Sequence, residues 1–215
     1  MTRDENVAPF GGIDIYLFDQ LQRGRIAPGH SILDAGCGGG RNLHYFLAAG
    51  YEVFASDPNP EAIEAVRAMA ASVVPGSSPS NDPARYRVES LEHSSFEPGS
   101  VDVVICNAVL HFARDTAHFH AMLEGAWRAL KPGGVFFSRL ASSIGIETKV
   151  QPLGGGRHLL PDGSERFLVD EPELLACTER LGGRLLDPIK TTNVQGLRCM
   201  TTWVLERLGT GRGDS

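Results

Sequence analysis

The sequence has few cysteines, and no two of them have the spacing of a metal or redox site. The four cysteines, at positions 37, 106, 177 and 199, are far apart, and the pattern Cys-x-x-Cys does not occur. This spacing argues against a zinc site or a dithiol switch and favours a reducing compartment. We therefore expect a cytoplasmic protein without a bound metal.

Long apolar runs and an excess of basic residues are also lacking. No 18 consecutive residues are apolar, and the start of the chain lacks the basic and apolar stretches of a signal peptide. The 20 Lys and Arg against 26 Asp and Glu give a net charge of −6. This balance disfavours a protein that is held by nucleic acid phosphates. We expect neither a secreted nor a membrane-spanning protein.

Glycine, in contrast, is abundant. It accounts for 25 of the 215 residues, whereas an average protein has roughly 7%. The length fits one domain, because a domain usually holds about 100–200 residues. The hydrophobic fraction of 42% is sufficient for a packed core. We therefore predict a single domain over residues 1–215, in which the glycines serve the fold or a site.

The central part of the chain alternates between strand and helix patterns. The predicted strands cover residues 31–35, 51–55, 86–88, 101–105 and 135–140. The predicted helices cover residues 43–47, 62–73 and 119–130. Strand–helix units in succession imply parallel strands that are joined by right-handed crossovers. The sequence thus predicts an α/β fold, doubly wound, with helices on both faces of the sheet.

The segment before this core, residues 1–29, is predicted to be a helical extension. Apolar residues at helical spacing indicate an amphipathic helix that packs on the core or covers the site; they are Ile13, Tyr16, Leu17 and Leu21. Within the core, residues 75–83 are rich in Ser, Pro, Asn and Gly and are predicted to form a loop. The last five residues resemble an integrin-binding peptide, but we interpret them as a frayed tail.

The segment after the core, residues 143–215, is predicted to complete the sheet on the substrate side. It contains a glycine-rich loop at residues 154–156, interpreted as a mobile cover, and a helix that begins near Asp170. Two strands follow, over residues 184–192 and 198–206. Because Gln195-Gly196 leaves no room for a helix between them, the last strand is predicted to be antiparallel. The whole sheet is then seven-stranded and mostly parallel.

The glycines at positions 36, 38 and 40 lie between a predicted strand and a predicted helix. Bare backbone at such a turn lets a ligand approach closely, and the helix N–H groups and dipole attract an anion. Arg41 stands where the dinucleotide fingerprint G-x-G-x-x-G has its third glycine. No Gly-Lys-Ser/Thr sequence follows, which disfavours hydrolysis of nucleoside triphosphates by a phosphate loop.

Asp57 ends the second predicted strand and supplies a partner for this turn. A carboxylate at this place accepts hydrogen bonds from two vicinal ribose hydroxyls and repels a 2′-phosphate. The alternative is a simple turn residue at the end of a strand. The combination with the glycine turn favours a ligand that contains adenosine without an additional phosphate.

Four stretches of the chain together resemble the class I S-adenosylmethionine-dependent methyltransferases. They are residues 32–40 (ILDAGCGGG), Asp57, residues 101–107 (VDVVICN) and residues 130–134 (LKPGG). The resemblance covers about residues 30–142, and an antiparallel last strand is the usual ending of that family. The layout and Arg41-Asn42 after the glycines look most like the tellurite-resistance and small-molecule branch.

The resemblance implies S-adenosylmethionine as the cofactor and assigns residues to it. Asp57 would hold the ribose and Pro58 would flank the adenine, while Asp34 would order the glycine turn that contacts the methionine part. The implied cofactor-binding residues are Tyr16, Asp34, Gly36, Cys37, Gly38, Arg41, Asp57, Pro58, Ser90, Leu91 and Asn107.

Two of these positions depart from the pattern or leave alternatives open. Ser90 stands where the family often has an acid that receives the adenine amino group. Either adenine specificity is weaker here, or Glu89 or Glu92 compensates. Arg41 could pair with the cofactor carboxylate, with Asp57 or with a surface acid.

His111 follows the fourth predicted strand, where the resemblance implies the methyl end of the cofactor. It is a candidate base or substrate contact, and the alternative is a structural histidine that fixes the loop. Arg139 and His158 are candidates to bind an oxyanion or carboxylate of the substrate, against the alternative of a solvated loop. Tyr16 and Phe112 could shield the sulfonium by cation–π contact, although we expect Phe112 to pack in the core.

These observations predict in-line transfer of a methyl group from S-adenosylmethionine to a small molecule. The first alternative is methylation of protein or RNA by the same fold, which would need a recognition surface and for which 215 residues leave no separate domain. The second is a non-catalytic module that senses S-adenosylmethionine or S-adenosylhomocysteine. The sequence leaves a monomer and a homodimer open.

Overall fold

The computed structural model describes residues 10–73 and 84–209, so the predicted loop at residues 75–83 and the tail at residues 211–215 lie outside the described residues. The helices are α1 (Ile15–Gln22), α2 (Leu43–Ala48), α3 (Pro60–Val73), α4 (Thr116–Arg128) and α5 (Glu171–Arg180). The strands are β1 (Ser31–Ala35), β2 (Glu52–Asp57), β3 (Tyr86–Val88), β4 (Val101–Asn107), β5 (Leu130–Ser142), β6 (Gln151–Gly154), β7 (Arg157–Leu159), β8 (Glu165–Phe167), β9 (Gly183–Leu185), β10 (Lys190–Val194) and β11 (Arg198–Arg207). None of the helices in this described part is long and apolar enough to cross a membrane.

The main sheet has the strand order β10-β11-β5-β4-β1-β2-β3. The five strands from β5 to β3 pair in parallel, whereas β11 pairs antiparallel with both β5 and β10. The order reverses between β1 and β4, which gives the sheet its doubly wound character. The predicted mostly parallel, seven-stranded sheet with an antiparallel last strand is therefore confirmed, and the short strand β9 adds an eighth strand by pairing with β11.

Helices cover both faces of this sheet, as predicted. Neighbouring residues of a strand point to opposite faces, so Ile32 packs with α2 and α3, and Leu33 packs with α4. Leu17 of α1 is buried in the same part of the core as Ile32. The N-terminal helix therefore packs on the core, one of the two placements that the sequence left open for it.

The C-terminal part differs from its prediction in two places. Residues 184–192, predicted as one strand, form β9 and β10, which both pair with the same side of β11. The interruption falls at Pro188, which has no N–H to donate to a sheet ladder. The glycine-rich loop at residues 154–156 is the turn of a three-stranded antiparallel sheet, β6-β7-β8. The predicted loop is therefore part of a small sheet, and its role as a mobile cover stays a prediction.

Candidate functional site

Two cavities open at the carboxyl ends of the parallel strands. The larger has a volume of about 520 Å³ and lies over the ends of β1, β2 and β4. The smaller, of about 410 Å³, lies beside it over the end of β5 and against β8 and β11. Ala108, directly after β4, lines both. In open α/β sheets, ligands bind at this edge where the strand order reverses.

Six of the eleven residues that the resemblance assigns to the cofactor line the larger cavity. They are Gly36, Gly38, Asp57, Pro58, Ser90 and Leu91. Gly36 has φ +82°, and a Cβ built there would lie 2.6 Å from a methyl group of Val109. The turn therefore follows its path because position 36 has no side chain.

Asp57 connects the end of β2 to the glycine turn. Its Oδ2 accepts a hydrogen bond from the backbone N–H of Gly38 at 2.9 Å, and its Oδ1 accepts one from Asn59 at 2.9 Å. Each carboxylate oxygen has two lone pairs, so both oxygens can accept a further bond from a ligand. Asp57 thus fixes the turn and still presents two acceptors to the cavity.

The wall beyond Pro58 carries an acid–histidine pair. Glu92 and His118 both line the larger cavity, and His118 Nε2 lies 3.1 Å from Glu92 Oε1. Burial acts to raise the pKa of Glu92, but hydrogen bonds from its own backbone, His118 and Ser90 outweigh burial and lower it. Glu89, the other acid near Ser90, instead accepts bonds from Ser95.

Two buried polar side chains near the turn have atoms without a partner. Asp34, in β1, has an Oδ2 with no hydrogen-bond partner in the described part of the chain, and the same holds for Oδ1 and Nδ2 of Asn107 at the end of β4. Burial raises the pKa of Asp34 to about 7, with Arg41 lowering it and Asp57 raising it. Unpaired buried groups are costly, so a polar partner that reached these atoms would stabilise them.

The other three assigned residues, like Asp34 and Asn107, do not line the larger cavity. Cys37 is buried in the core, and burial raises the pKa of its thiol. Arg41 is half exposed and pairs with Asp14 at 3.7 Å rather than with Asp57. The Tyr16 hydroxyl lies 2.8 Å from Thr192 Oγ1. None of these three side chains therefore lines the larger cavity.

His111 lines the smaller cavity and is held in a defined state. Its Nδ1 accepts a hydrogen bond from the backbone N–H of Ala141 at 3.3 Å. Burial, with a smaller contribution from Arg166, lowers the pKa of His111 to about 4. The ring is therefore neutral at pH 7, and because Nδ1 is an acceptor, its proton resides on Nε2.

Of the two residues assigned to the substrate, one lines the smaller cavity. Arg139 does so, and its Nη1 donates to Asp14 Oδ2 at 3.0 Å. His158 lies in β7, with its ring nitrogen Nδ1 3.1 Å from the carbonyl oxygen of Gly156, and it does not reach the cavity. Its cross-strand neighbour Arg166 does, together with Arg198. In this small sheet, Arg166 rather than His158 therefore faces the smaller cavity.

Phe112 is a second correction, because it is not in the core. Its side chain is 56% exposed and lines the larger cavity. The His111 ring lies 4.6 Å away, and the guanidinium of Arg166 lies 5.1 Å from the ring centroid. Phe112 thus stands between the two cavities.

Comparison with known proteins gives the family. Residues 33–138 match the sequence model of a family described as "Methyltransferase domain". A ubiquinone biosynthesis O-methyltransferase of Xanthomonas campestris pv. campestris is 35% identical over 143 residues, which cover 65% of this chain and 56% of that protein. The chain thus spans just over half the length of this curated relative.

Solved structures show the same fold. A SAM-dependent methyltransferase from Methanosarcina mazei superimposes with a TM-score of 0.68 at 22% identity, covering 87% of this chain and 97% of that one. The 1,6-didemethyltoxoflavin-N1-methyltransferase of Burkholderia thailandensis, solved with 1,6-didemethyltoxoflavin and S-adenosylhomocysteine bound, gives 0.64 at 18% identity, covering 90% and 76%.

The fold and the larger cavity first define the general class of protein. A doubly wound sheet with a glycine turn and a carboxylate at its switch point is a nucleotide-cofactor domain. The family match narrows this assignment: the methyltransferase domain of this chain, residues 33–138, belongs to the class I S-adenosylmethionine-dependent methyltransferases. The narrower likeness to the tellurite-resistance branch stays a prediction.

Proposed function

We propose that the chain transfers a methyl group from S-adenosylmethionine to a small molecule. The observation that carries this proposal is the bridge between the glycine turn and Asp57 at the floor of a cavity of about 520 Å³. A cavity of this size is within the usual range for small-ligand sites, about 300–1,000 Å³. The residues present also fit the parts of this cofactor.

The adenosine part would be held by Asp57 and the wall beyond it. The free lone pairs of Asp57 would accept the two ribose hydroxyls, and the apolar side chains of Pro58, Leu91 and Met122 would pack against the base. Glu92 is the acid that would compensate for Ser90 and accept the adenine amino group, because it lines the cavity and is ionised at neutral pH.

The methionine part carries an ammonium and a carboxylate, and the unpaired buried atoms near the turn match the ammonium. The Oδ2 of Asp34 and the Oδ1 of Asn107 are acceptors without a partner in the described residues. An ammonium nearby would favour the charged form of Asp34 and lower its raised pKa. We therefore propose that Asp34 attracts the ammonium through its charge, in place of the predicted role of ordering the glycine turn.

When bound, S-adenosylmethionine supplies an electrophilic methyl group: the acceptor's lone pair forms the new bond to carbon, the carbon–sulfur pair stays on sulfur, and S-adenosylhomocysteine leaves. A hydroxyl or amine acceptor must also lose its proton to a base or to water. Because His111 is neutral with its proton on Nε2, we propose that it orients the acceptor by donating a hydrogen bond. It is not the base in this state.

A small-molecule acceptor is supported by the size of the second cavity, about 410 Å³. The names of the relatives point the same way, since ubiquinone biosynthesis and didemethyltoxoflavin are small-molecule chemistry. The two alternatives predict different fates for the methyl group: a macromolecular acceptor would receive it on protein or RNA, and a non-catalytic sensor would not transfer it.

Turnover separates the three possibilities. S-adenosylmethionine with a labelled methyl group would be incubated with the protein and, separately, with a metabolite panel, an RNA mixture and a protein mixture. We expect release of S-adenosylhomocysteine and label in one small molecule, and a lower kcat for His111→Asn with unchanged affinity for S-adenosylhomocysteine. Label in RNA or protein would contradict the small-molecule acceptor, and binding without any turnover would favour the sensor.

A further inference from the structure

The smaller cavity carries more positive than negative charge. Three guanidinium groups line it, those of Arg139, Arg166 and Arg198. Two carboxylates face them, since Asp14 pairs with Arg139 at 3.0 Å and Asp162 lies 3.9 Å from Arg198. With His111 neutral, one positive charge is left.

Arg166 carries the positive charge that is left over in the smaller cavity. Within the described residues it forms no ion pair; it donates to the backbone carbonyl of Glu165 and lies over the Phe112 ring. Stacking on an aromatic face leaves the edge of a guanidinium, with its N–H groups, free to bind an anion. Arg166 is thus held in place without an ion pair, although, after larger effects from Ser164, its charge contributes to lowering the pKa of Asp162.

Arg198 is paired only weakly. Asp162 Oδ1 already accepts two bonds from Ser164, and its Oδ2 lies 3.9 Å from the Arg198 guanidinium, which is beyond hydrogen-bond distance. Arg198 stands at the start of β11 and Arg166 lies on β8, and both line the same cavity. A ligand in this cavity would meet one guanidinium group without an ion pair and one that is only weakly paired.

The rest of the cavity is shaped for an organic body. Leu160, Val194 and Met200 supply apolar lining, and His111 with Ala108 closes the side next to the larger cavity. Since Ala108 lines both cavities, the part of a ligand at this residue lies nearest the proposed cofactor site. A net charge of one suits a monoanion better than a dianion such as a phosphate monoester.

We propose that the methyl acceptor is a small organic acid whose carboxylate binds between Arg166 and Arg198. This inference rests on the proposed function. The carboxylate is the anchor, the carbon body packs on Leu160 and Met200, and the methylated atom lies at the Ala108 end of the cavity. Arg166 and Arg198 are then specificity-determining residues.

Calorimetry on the protein saturated with S-adenosylhomocysteine tests this with matched probes, benzoate against benzamide and hexanoate against hexanamide. Each pair has nearly the same shape and differs in charge. We expect at least one acid to bind at least about tenfold more tightly than its amide, because a charge-assisted bidentate contact is lost in the amide. Arg166→Gln and Arg198→Gln should each weaken that acid about tenfold and leave the amide unchanged.

Arg157→Gln is the matched control, since Arg157 lies on the neighbouring strand β7, bonds to Ala113 and Glu165, and does not line the cavity. Binding of S-adenosylhomocysteine by each variant shows that it is folded. Equal affinity for acids and amides, or binding of neither, would overturn the inference, as would acid binding that survives both substitutions. Failure of the wild-type protein to bind S-adenosylhomocysteine would instead overturn the proposed function.

Discussion

The backbone at Gly36 lies against the side chain of Val109, and this contact shapes the floor of the larger cavity. A Cβ at position 36 would come within 2.6 Å of a Val109 methyl group, and the residue has φ +82°. Both conditions exclude a side chain. Gly39, three residues on, has open space around the position of its Cβ.

Gly36→Ala should therefore destabilise the protein while Gly39→Ala should not. The left-handed backbone and the clash together cost about 2–4 kcal/mol of unfolding free energy. Urea denaturation measures this, and affinity for S-adenosylhomocysteine should fall in parallel for Gly36→Ala. Equal stability of the two variants would contradict this account of the turn.

Acid should destabilise the protein in part through His111. Its pKa is about 4 when folded and about 6.5 when unfolded, so between these values the unfolded chain binds a proton that the folded one does not. Stability is then lost as the pH falls through this window, by about 2 kcal/mol from about pH 6.5 to about pH 4.5. The measurement is the unfolding free energy of wild type and His111→Asn at both pH values. An equal fall in both proteins would show that His111 does not contribute.

The residues that local sequence could predict are those whose role depends on a short stretch of chain. Gly36, Gly38 and Asp57 follow directly from the strand–turn–helix pattern, and they meet in the larger cavity. Arg166 and Arg198 come together only because β8 and β11 pack around the end of β5. No local pattern distinguishes them from solvated arginines, and His158 was selected instead.

At the scale of elements, α1 is tied to the site through one buried carboxylate. Asp14 caps α1 by accepting a bond from the N–H of Tyr16, and its other oxygen pairs with Arg139 at the end of β5. Its own N–H donates to Asn42, beside the glycine turn. The helix is thereby connected to the smaller cavity through Arg139 and to the start of α2 through Asn42.

Asp14→Asn should cost much more stability than Asp19→Asn. Removing one partner of a buried ion pair leaves the other charge uncompensated, at about 3–5 kcal/mol, and Asp14 is 4% exposed. Asp19 forms an exposed pair with Arg23 on the same helix, and such pairs contribute about 0.2–1 kcal/mol. Thermal or urea unfolding measures both. Similar losses would mean that Asp14 does not anchor α1.

The elements that the sequence predicted wrongly are short and antiparallel. The pattern of residues 154–156 and their flanks is too brief to distinguish a hairpin from a loop, and β6 to β8 are held by pairing with one another. The long parallel strands were predictable because each is a continuous apolar run followed by a helical pattern.

For the whole molecule, the parallel sheet brings the polar residues of both cavities together at one edge. Strands β1, β2, β4 and β5 all end there, so a carboxylate, a glycine turn, a histidine and an arginine that are distant in sequence meet around two adjoining cavities. The abundance of glycine thus has a partial explanation, since Gly36 and Gly38 belong to the turn that lines the larger cavity and Gly156 lies against Phe167 in the small sheet.

The central claim is that the larger cavity binds S-adenosylmethionine through Asp57, and titration calorimetry with S-adenosylhomocysteine tests it most directly. We predict micromolar or tighter binding by the wild-type protein and at least about a tenfold loss for Asp57→Ala, because hydrogen bonds to a charged group contribute about 1.5–3 kcal/mol. Glu61→Ala, which removes an exposed acid in the first turn of α3, should bind as the wild type does. Absence of binding by the wild type, or unchanged binding by Asp57→Ala, would contradict the claim.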